Sequence, residues 1–360
     1  MKKMKVAIVG ATGIAGQQFV AALAQHPWFR IARLGASPRS AGKKYADALR
    51  HESSGSLRWW AGGSPPESVL DMTVENGEDL KLDNVDLVFS AVESDVAVDL
   101  EPMYAQTTPV VSTASAFRYE DDVPLLLPGV SLQQATLLRR QQKNRGWKGF
   151  ILPQPNCTVT GLAITLKPLD ERFGVKKVSM VSMQGISGAG RSPGVAALDA
   201  IDNVIPYIPS EEEKVTAEAR KLLGKVVAGK LVESSVKVSC TCTRAAVLEG
   251  HTEAVSLELE RPATPAQAAA ALRTAGKRAA RLKLPSMPET LIYVHDDPFR
   301  PQPRLDRDAG DGMTTSVGRI REEPLYRHGL RYMLVSHNTK MGAAKGALLI
   351  AEYLLDRGIL

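Results

Sequence analysis

The sequence predicts an α/β fold combined with an α+β one: a doubly wound, Rossmann-like nucleotide-binding domain into which a second, mixed-sheet domain is inserted. Three observations predict it. A glycine-punctuated turn, Gly10-Ala-Thr-Gly13-Ile-Ala-Gly16, follows a short apolar strand and opens a helix. Short apolar runs then alternate with helical stretches as far as about residue 130, the signature of a parallel sheet covered on both faces. Beyond the helix at 158–169 the strands carry longer side chains and alternate more, which fits a second sheet. A chain of 360 residues also exceeds what a single core ordinarily serves.

In chain order, residues 5–9 read as a strand, 17–25 as a helix with Phe19, Val20 and Leu23 on one stripe, and 30–36 as a second strand. Residues 83–92 give a buried strand. A helical stretch containing Val96, Val98, Leu100 and Met103 follows, and then a strand at 109–112. Residues 131–147 are polar and helical. The run FILPQPNC is a strand ending at a cysteine, and 158–169 is a helix. Strands at 175–184, 237–243 and 253–259 belong to the second sheet. Residues 265–279 form a helix with proline in its first turn. Residues 298–312, rich in Pro, Asp and Arg, read as an extended loop. Strands at 315–319 and 330–337 and an apolar helix at 341–355 complete the chain. That last helix is expected to return to the first domain, with capping of the second sheet as the alternative. The expected domains are therefore 1–133 completed by 338–360, and 134–337.

Composition excludes several classes. Hydrophobic residues are 44% and charged residues 23%, so a packed core is expected and disorder on the scale of a domain is not. The net charge of +6 suits small anionic ligands. No basic run interleaved with aromatics appears, which argues against nucleic acid. No apolar stretch reaches the ~18 residues of a membrane span. Glycine breaks the N-terminal apolar run too early for a signal peptide. Three cysteines, at 157, 240 and 242, give neither a disulfide framework nor a zinc site, and the cytoplasm is the expected compartment.

The glycine turn is a variant of the dinucleotide fingerprint. Glycine lets the backbone of Gly10, Thr12, Gly13 and Ile14 approach a pyrophosphate at the helix N-terminus. After the second strand an NAD enzyme usually carries an acid for the ribose hydroxyls. This chain has Ser37-Pro-Arg39-Ser40, a guanidinium with two hydroxyls, which favours the 2′-phosphate of NADP(H).

Cys157, in Pro-Asn-Cys-Thr, sits where a helix begins. Unpaired N–H groups and the helix dipole favour a thiolate there, and the same N–H groups can hold an oxyanion. A cysteine nucleophile needs a base, and residue physics alone does not choose among His26, His51, His251, His295, His328 and His337. His251 closes a turn seven residues after Arg244, an arrangement suited to an anionic substrate. Ser187 and Gly188 lie in a glycine-rich loop after the strand that ends at Gln184. Glu211-Glu-Glu-Lys214 opens a helix that reads most simply as a solvated charged face.

These segments together carry a family resemblance over nearly the whole chain. GATG-x-x-G, SPRSAGKKY, TASAFRYEDDVPLLLP, PNCT, QGISGAG, IPYIPSEEEK, R-x₅-GHTE, PQPRLDRDAGDGM and HNTKMGAAKGA resemble aspartate-semialdehyde dehydrogenases of the archaeal and fungal type. That subgroup also holds malonyl-CoA reductases. The resemblance implies NADPH-dependent reduction of L-aspartyl 4-phosphate to L-aspartate 4-semialdehyde, in lysine, threonine and methionine biosynthesis. It implies Cys157 as the acyl-carrying nucleophile, His251 as acid-base, Gln184 orienting the acyl group, and Arg244 on the substrate carboxylate. Glu211 would meet the amino group, and Arg118 and Lys214 the acyl phosphate or inorganic phosphate. Ser187, Gly188 and Asn338 would lie near the nicotinamide. The inserted domain would be catalytic and would mediate a homodimer, with tetramers also occurring. Two departures from the family pattern, Gly129-Val-Ser131 and Ala245-Ala246, are expected to reshape the pocket. A non-catalytic dinucleotide-binding protein is the reading from another class.

Overall fold

A computed structural model describes residues 2–190 and 197–360, which divide into two compact units. The first comprises Met1–Pro124, Ala135–Gln154 and Ala347–Leu360. Its six strands are β1 (Met4–Val9), β2 (Phe29–Ala36), β3 (Val74–Asn76), β4 (Leu87–Ser90), β5 (Val110–Ser112) and β6 (Ile151–Pro153). All pair in parallel, in the order β3-β2-β1-β4-β5-β6. The order reverses at β1 and β4, and in such sheets the crevice at that point binds the ligand.

Helix α1 (Ile14–Leu23) buries Phe19, Val20 and Leu23 as its spacing predicts, and Phe19 packs on Phe89 of β4 at 4.7 Å between ring centroids. Burying each such ring stabilises the unit by ~1.5–3 kcal/mol. In helix α2 (Ser94–Ala105) burial does not simply follow apolarity. Val96, Val98 and Met103 are exposed, while Ala97, Leu100, Glu101 and Tyr104 are buried. Helix α3 (Leu137–Arg145) is the expected polar helix. It belongs with the first unit, not with residues 134–337, because Gln141 exchanges hydrogen bonds with the backbone of Ile151 while β6 pairs with β5. The C-terminal helix, Lys345–Asp356, lies mostly in the first unit, where buried Glu352 meets His26 Nε2 at 2.9 Å.

The second unit comprises Leu125–Gln134 and Pro155–Gly346. Its strands are β7 (Val175–Gln184), β8 (Val204–Ile205), β9 (Lys225–Val227), β10 (Lys230–Val232), β11 (Lys237–Ala245), β12 (His251–Leu259), β13 (Ile292–Val294), β14 (Thr315–Glu322) and β15 (Gly329–Ser336). Seven form a mixed sheet in the order β13-β14-β15-β12-β7-β11-β8, and β9 pairs with β10 as a separate hairpin. Its helices are α4 (Cys157–Phe173), α5 (Glu211–Leu223) and α6 (Pro265–Ala280). Helix α4 is buried nearly all round, as an interior helix must be. Gly161 lets it approach the sheet, since a Cβ there would lie 2.8 Å from Ser336 Cβ. Helix α6 starts with a capping box between Thr264 and Gln267, with Pro265 at its first position. The expected loop at 298–312 contains one short helical turn, Pro303–Asp306. No helix among the described residues is long and apolar enough to cross a membrane.

Candidate active site

Cys157 is the first residue of α4. Asn156 caps the helix, its Oδ1 accepting the N–H groups of Thr158 at 2.8 Å and Val159 at 3.2 Å. The cap corrects one expectation. Those two amides are engaged by Asn156, so they cannot form an oxyanion hole. The helix still points its positive end at the sulfur.

His251 begins β12, after Gly250 at φ +93°, and is fully buried. Its Nε2 lies 3.2 Å from Cys157 Sγ, so among six candidate histidines the fold selects this one. The Gly185 N–H donates to Nδ1 at 3.2 Å. An acceptor Nδ1 puts the proton of the neutral ring on Nε2, facing the sulfur. Burial, then the charge of Arg244, then His337 pull the imidazole down to about 3, so it is uncharged at neutral pH.

Arg244 ends the β11 segment that pairs with β7, opposite Gln184. It is buried and donates to the Gly185 carbonyl at 2.9 Å. Burial draws its guanidinium below the ordinary value, while Cys157 and Glu211 favour its charge. Gly188 lies against both groups. A Cβ at 188 would sit 2.9 Å from Arg244 Nη1 and 3.3 Å from His251 Cε1.

The helix α5 expectation needs correction. Glu211 is not on a solvated face. It is buried, and its carboxylate accepts from Asn156 Nδ2 at 3.1 Å, Thr158 Oγ1 at 2.8 Å and Gln184 Nε2 at 3.2 Å. Two turns on, buried Glu218 accepts the Asn156 N–H at 2.6 Å. Both acids thus lie at the positive end of α4, where the dipole favours them. Lys214 is half-buried and, among the described residues, makes no ion pair.

Asn338 ties two loops together. Its Oδ1 accepts the Gly250 N–H and its Nδ2 donates to Ser187 Oγ, both at 2.8 Å. The expected helix at 341–355 begins irregularly. Residues 340–344 form a wide turn with i→i−5 hydrogen bonds, from Gly342 to His337 and Ala344 to Thr339, and Ala343 is non-helical. The turn seats Gly342 against the nucleophile candidate, where a Cβ would lie 2.8 Å from Cys157 Cβ. Sequence reasoning missed Asn156, Glu218 and Gly342 as members of this group. Asn156 alone left a signal, an Asn immediately before a helix start.

The two departures in sequence have separate explanations. Gly129 has φ +80°, and Ser131 Oγ donates to the Leu125 carbonyl at 2.7 Å and accepts the Leu127 N–H at 3.0 Å. They shape their own loop. Ala245 pairs with Val204 at the sheet edge.

In the first unit, Gly10 has φ +78°, and a Cβ there would lie 2.4 Å from the Ala91 carbonyl oxygen. Gly16 is tighter still against the Gly10 carbonyl. Gly13 caps α1 without a side chain, and Ile14 is the first helical residue. Thr12 is held through its carbonyl by Gln17 Nε2 at 2.9 Å. The first-turn amides of α1 therefore remain for an anion. Ser37 and Arg39 are exposed, Ser40 is buried, and the Ser40 N–H closes the turn on the Ser37 carbonyl at 2.9 Å. Arg39 makes no ion pair among the described residues. These residues fit a phosphorylated dinucleotide. Arg118, also in this unit, is buried and donates to the Thr113 carbonyl at 2.9 Å.

Comparison with known proteins identifies the family. Residues 5–137 match the NAD-binding domain of semialdehyde dehydrogenases, and residues 166–341 match their dimerisation domain. The aspartate-semialdehyde dehydrogenase of Archaeoglobus fulgidus is 43% identical over 99% of this chain and all of its own. The crystal structure of the Candida albicans enzyme with NADP superposes with a TM-score of 0.88 at 39% identity, covering both chains fully. The Vibrio cholerae enzyme II, complexed with ASA, gives 0.75 at 25% identity over 99% of each chain. Matches of this extent place the chain in the aspartate-semialdehyde dehydrogenase family.

Proposed function

We propose that this protein interconverts L-aspartyl 4-phosphate and L-aspartate 4-semialdehyde with NADP(H), through a thioester on Cys157, as a step of amino-acid biosynthesis. The observation that carries the reading is the 3.2 Å approach of His251 Nε2 to Cys157 Sγ at the start of α4, beside a buried arginine and a buried carboxylate. The sulfur attacks the acyl carbon, and the carbon–oxygen bond to phosphate breaks as the thioester forms. Arg118 and Lys214 receive the departing phosphate. Bound NADPH supplies the hydride that reduces the thioester carbonyl. The Nε2–H of neutral His251 hydrogen-bonds the oxyanion formed by hydride addition; the oxyanion then re-forms the carbonyl as the carbon–sulfur bond breaks, the aldehyde leaves and Cys157 returns as a thiolate facing that N–H.

Arg244 grips the substrate carboxylate, Glu211 the ammonium group, and Gln184 orients the acyl group. Ser187, Gly188 and Asn338 serve the nicotinamide end. Gly10, Thr12, Gly13 and Ile14 hold the pyrophosphate, and Ser37, Arg39 and Ser40 the 2′-phosphate. Glu211 favours the aspartyl substrate over malonyl-CoA, which has no ammonium group. The dimerisation-domain match supports a homodimer, and the absence of disulfides among the described cysteines fits the cytoplasm. The test is turnover of aspartate semialdehyde with phosphate and NADP⁺, beside malonyl-CoA with NADPH. Cys157→Ser should lose turnover and keep NADPH binding. Normal turnover by that variant overturns the thioester.

A further inference from the structure

Glu253 is fully buried, and neither of its carboxyl oxygens has a hydrogen-bond partner among the described residues. Such a group calls for a reason. Its place in the sheet gives one. Side chains alternate along a strand, so Glu253 shares the face of His251, two residues earlier on β12. Cross-strand pairing arranges that face in rows. The upper row holds Arg244 and Gln184 on β11 and β7, then His251 and Ser336 on β12 and β15. The row beneath holds Cys242, Ser182, Glu253 and Leu334. The third holds Cys240, Met180, Val255 and Tyr332.

Glu253 therefore lies directly under the catalytic row, in a layer with no cation. The titratable groups around it are Glu211 on α5, Cys240 and Cys242 on β11, His251 on its own strand and Tyr332 on β15, with Arg244 one row up. A buried carboxylate anion with neither cation nor donor is far costlier than the neutral acid. Burial, with Cys240 and Glu211 nearby, pushes this carboxyl well above the ordinary range.

We propose that Glu253 is a positioning residue that works as a neutral carboxylic acid, an uncharged floor that sets no like charge against the Glu211 carboxylate and leaves His251 an uncharged donor. The logic is electrostatic. A second anion near Glu211 would set a like charge against the carboxylate that meets the ammonium, and of the two only Glu211 has donors to hold a charge. The same anion beside His251 would favour the imidazolium. A neutral acid does neither. This inference rests on the substrate reading above, and the experiment separates the two.

Infrared difference spectra of the full-length protein, wild type minus Glu253→Gln at neutral pH, should show the carbonyl stretch of a protonated carboxylic acid. That readout needs no substrate. Glutamine mimics the neutral acid, so kcat/KM for aspartate semialdehyde at neutral pH should stay within about twofold of wild type. The band should persist in the wild type over the pH range in which the enzyme turns over. Absence of the band, or a loss beyond about tenfold in well-folded Glu253→Gln at neutral pH, overturns the proposal. Turnover of aspartate semialdehyde by the wild type tests the substrate reading by itself.

Discussion

Replacing Gly342 with alanine puts a methyl group against the backbone of Cys157, the proposed nucleophile. The new Cβ would lie 2.8 Å from Cys157 Cβ, 3.0 Å from its Cα and 3.3 Å from its carbonyl oxygen. Carbon atoms pack at ~3.5–4.0 Å, so a shortfall of about 1 Å must be absorbed. Little around it can yield. The Gly342 N–H is bonded to the His337 carbonyl at 2.9 Å, and Asn156 pins the first turn of α4. Gly161 holds that helix close to Ser336. The displacement falls on the sulfur, whose 3.2 Å approach to His251 lengthens. A misplacement of ~1 Å costs about 10²-fold in rate, and overpacking costs ~1–3 kcal/mol of stability. Gly342→Ala should therefore lower kcat about a hundredfold in both directions and slow alkylation of Cys157 by iodoacetamide. NADPH affinity should be kept, and thermal unfolding should fall modestly. Wild-type kcat and alkylation rate in this variant would refute the claim that this turn sets the position of the sulfur.

Gly188→Ala places a methyl 2.9 Å from Arg244 Nη1 and 3.3 Å from His251 Cε1, so kcat/KM for aspartate semialdehyde should drop about tenfold with unfolding temperature unchanged. An unaltered kcat/KM would mean that the loop opens freely. Arg39→Ala should raise KM for NADPH about tenfold or more while leaving NADH kinetics unaffected, and equal effects on both cofactors would remove Arg39 from the 2′-phosphate. Glu101, in the first unit, is buried and accepts from Ser112 Oγ, and burial pushes its carboxyl up to about 7 from an ordinary 4.5. Its folded-state value is the raised one, so its contribution is fully present below about 4.5 and is lost as pH rises through about 7, about 3 kcal/mol in all. Urea unfolding of Glu101→Gln at pH 5 and pH 8 should lack that loss, and the wild-type slope surviving in the variant would reassign it.

The fold was legible where local chemistry and tertiary demand coincide. Gly10 and Gly16 mark the first turn because only glycine tolerates the contacts made there. Strand β7 keeps the expected bounds, 175–184, because its inward positions alternate. Where the deciding contact is tertiary, the sequence misleads. Helix α2 leaves Val96, Val98 and Met103 exposed, apolar residues that share no single face at helical spacing, and buries Glu101 and Tyr104. Strands β3, β8 and β13 are two or three residues long, too short for any period to show. The acids of α5 read as a solvated face because their reason for burial, the start of α4, lies 55 residues away in the chain.

The same limit governs the central pair. Cys157 is identifiable from its own surroundings, whereas His251 is 94 residues distant and chemically indistinguishable in sequence from five others. Proximity, however, is not the most consequential thing the fold adds. Because the Gly185 N–H occupies Nδ1, neutral His251 presents a proton to Cys157 and has no free lone pair there to accept one. Under the proposed roles, the sulfur must enter the reaction already as a thiolate, held by that N–H, by the positive end of α4 and by the neighbouring charge of Arg244. The rate of Cys157 alkylation should then follow the titration of the thiol alone, and His251→Ala should shift that titration to higher pH. An unshifted titration in His251→Ala would mean that the imidazole contributes nothing to the resting thiolate and acts only after the acyl group is in place.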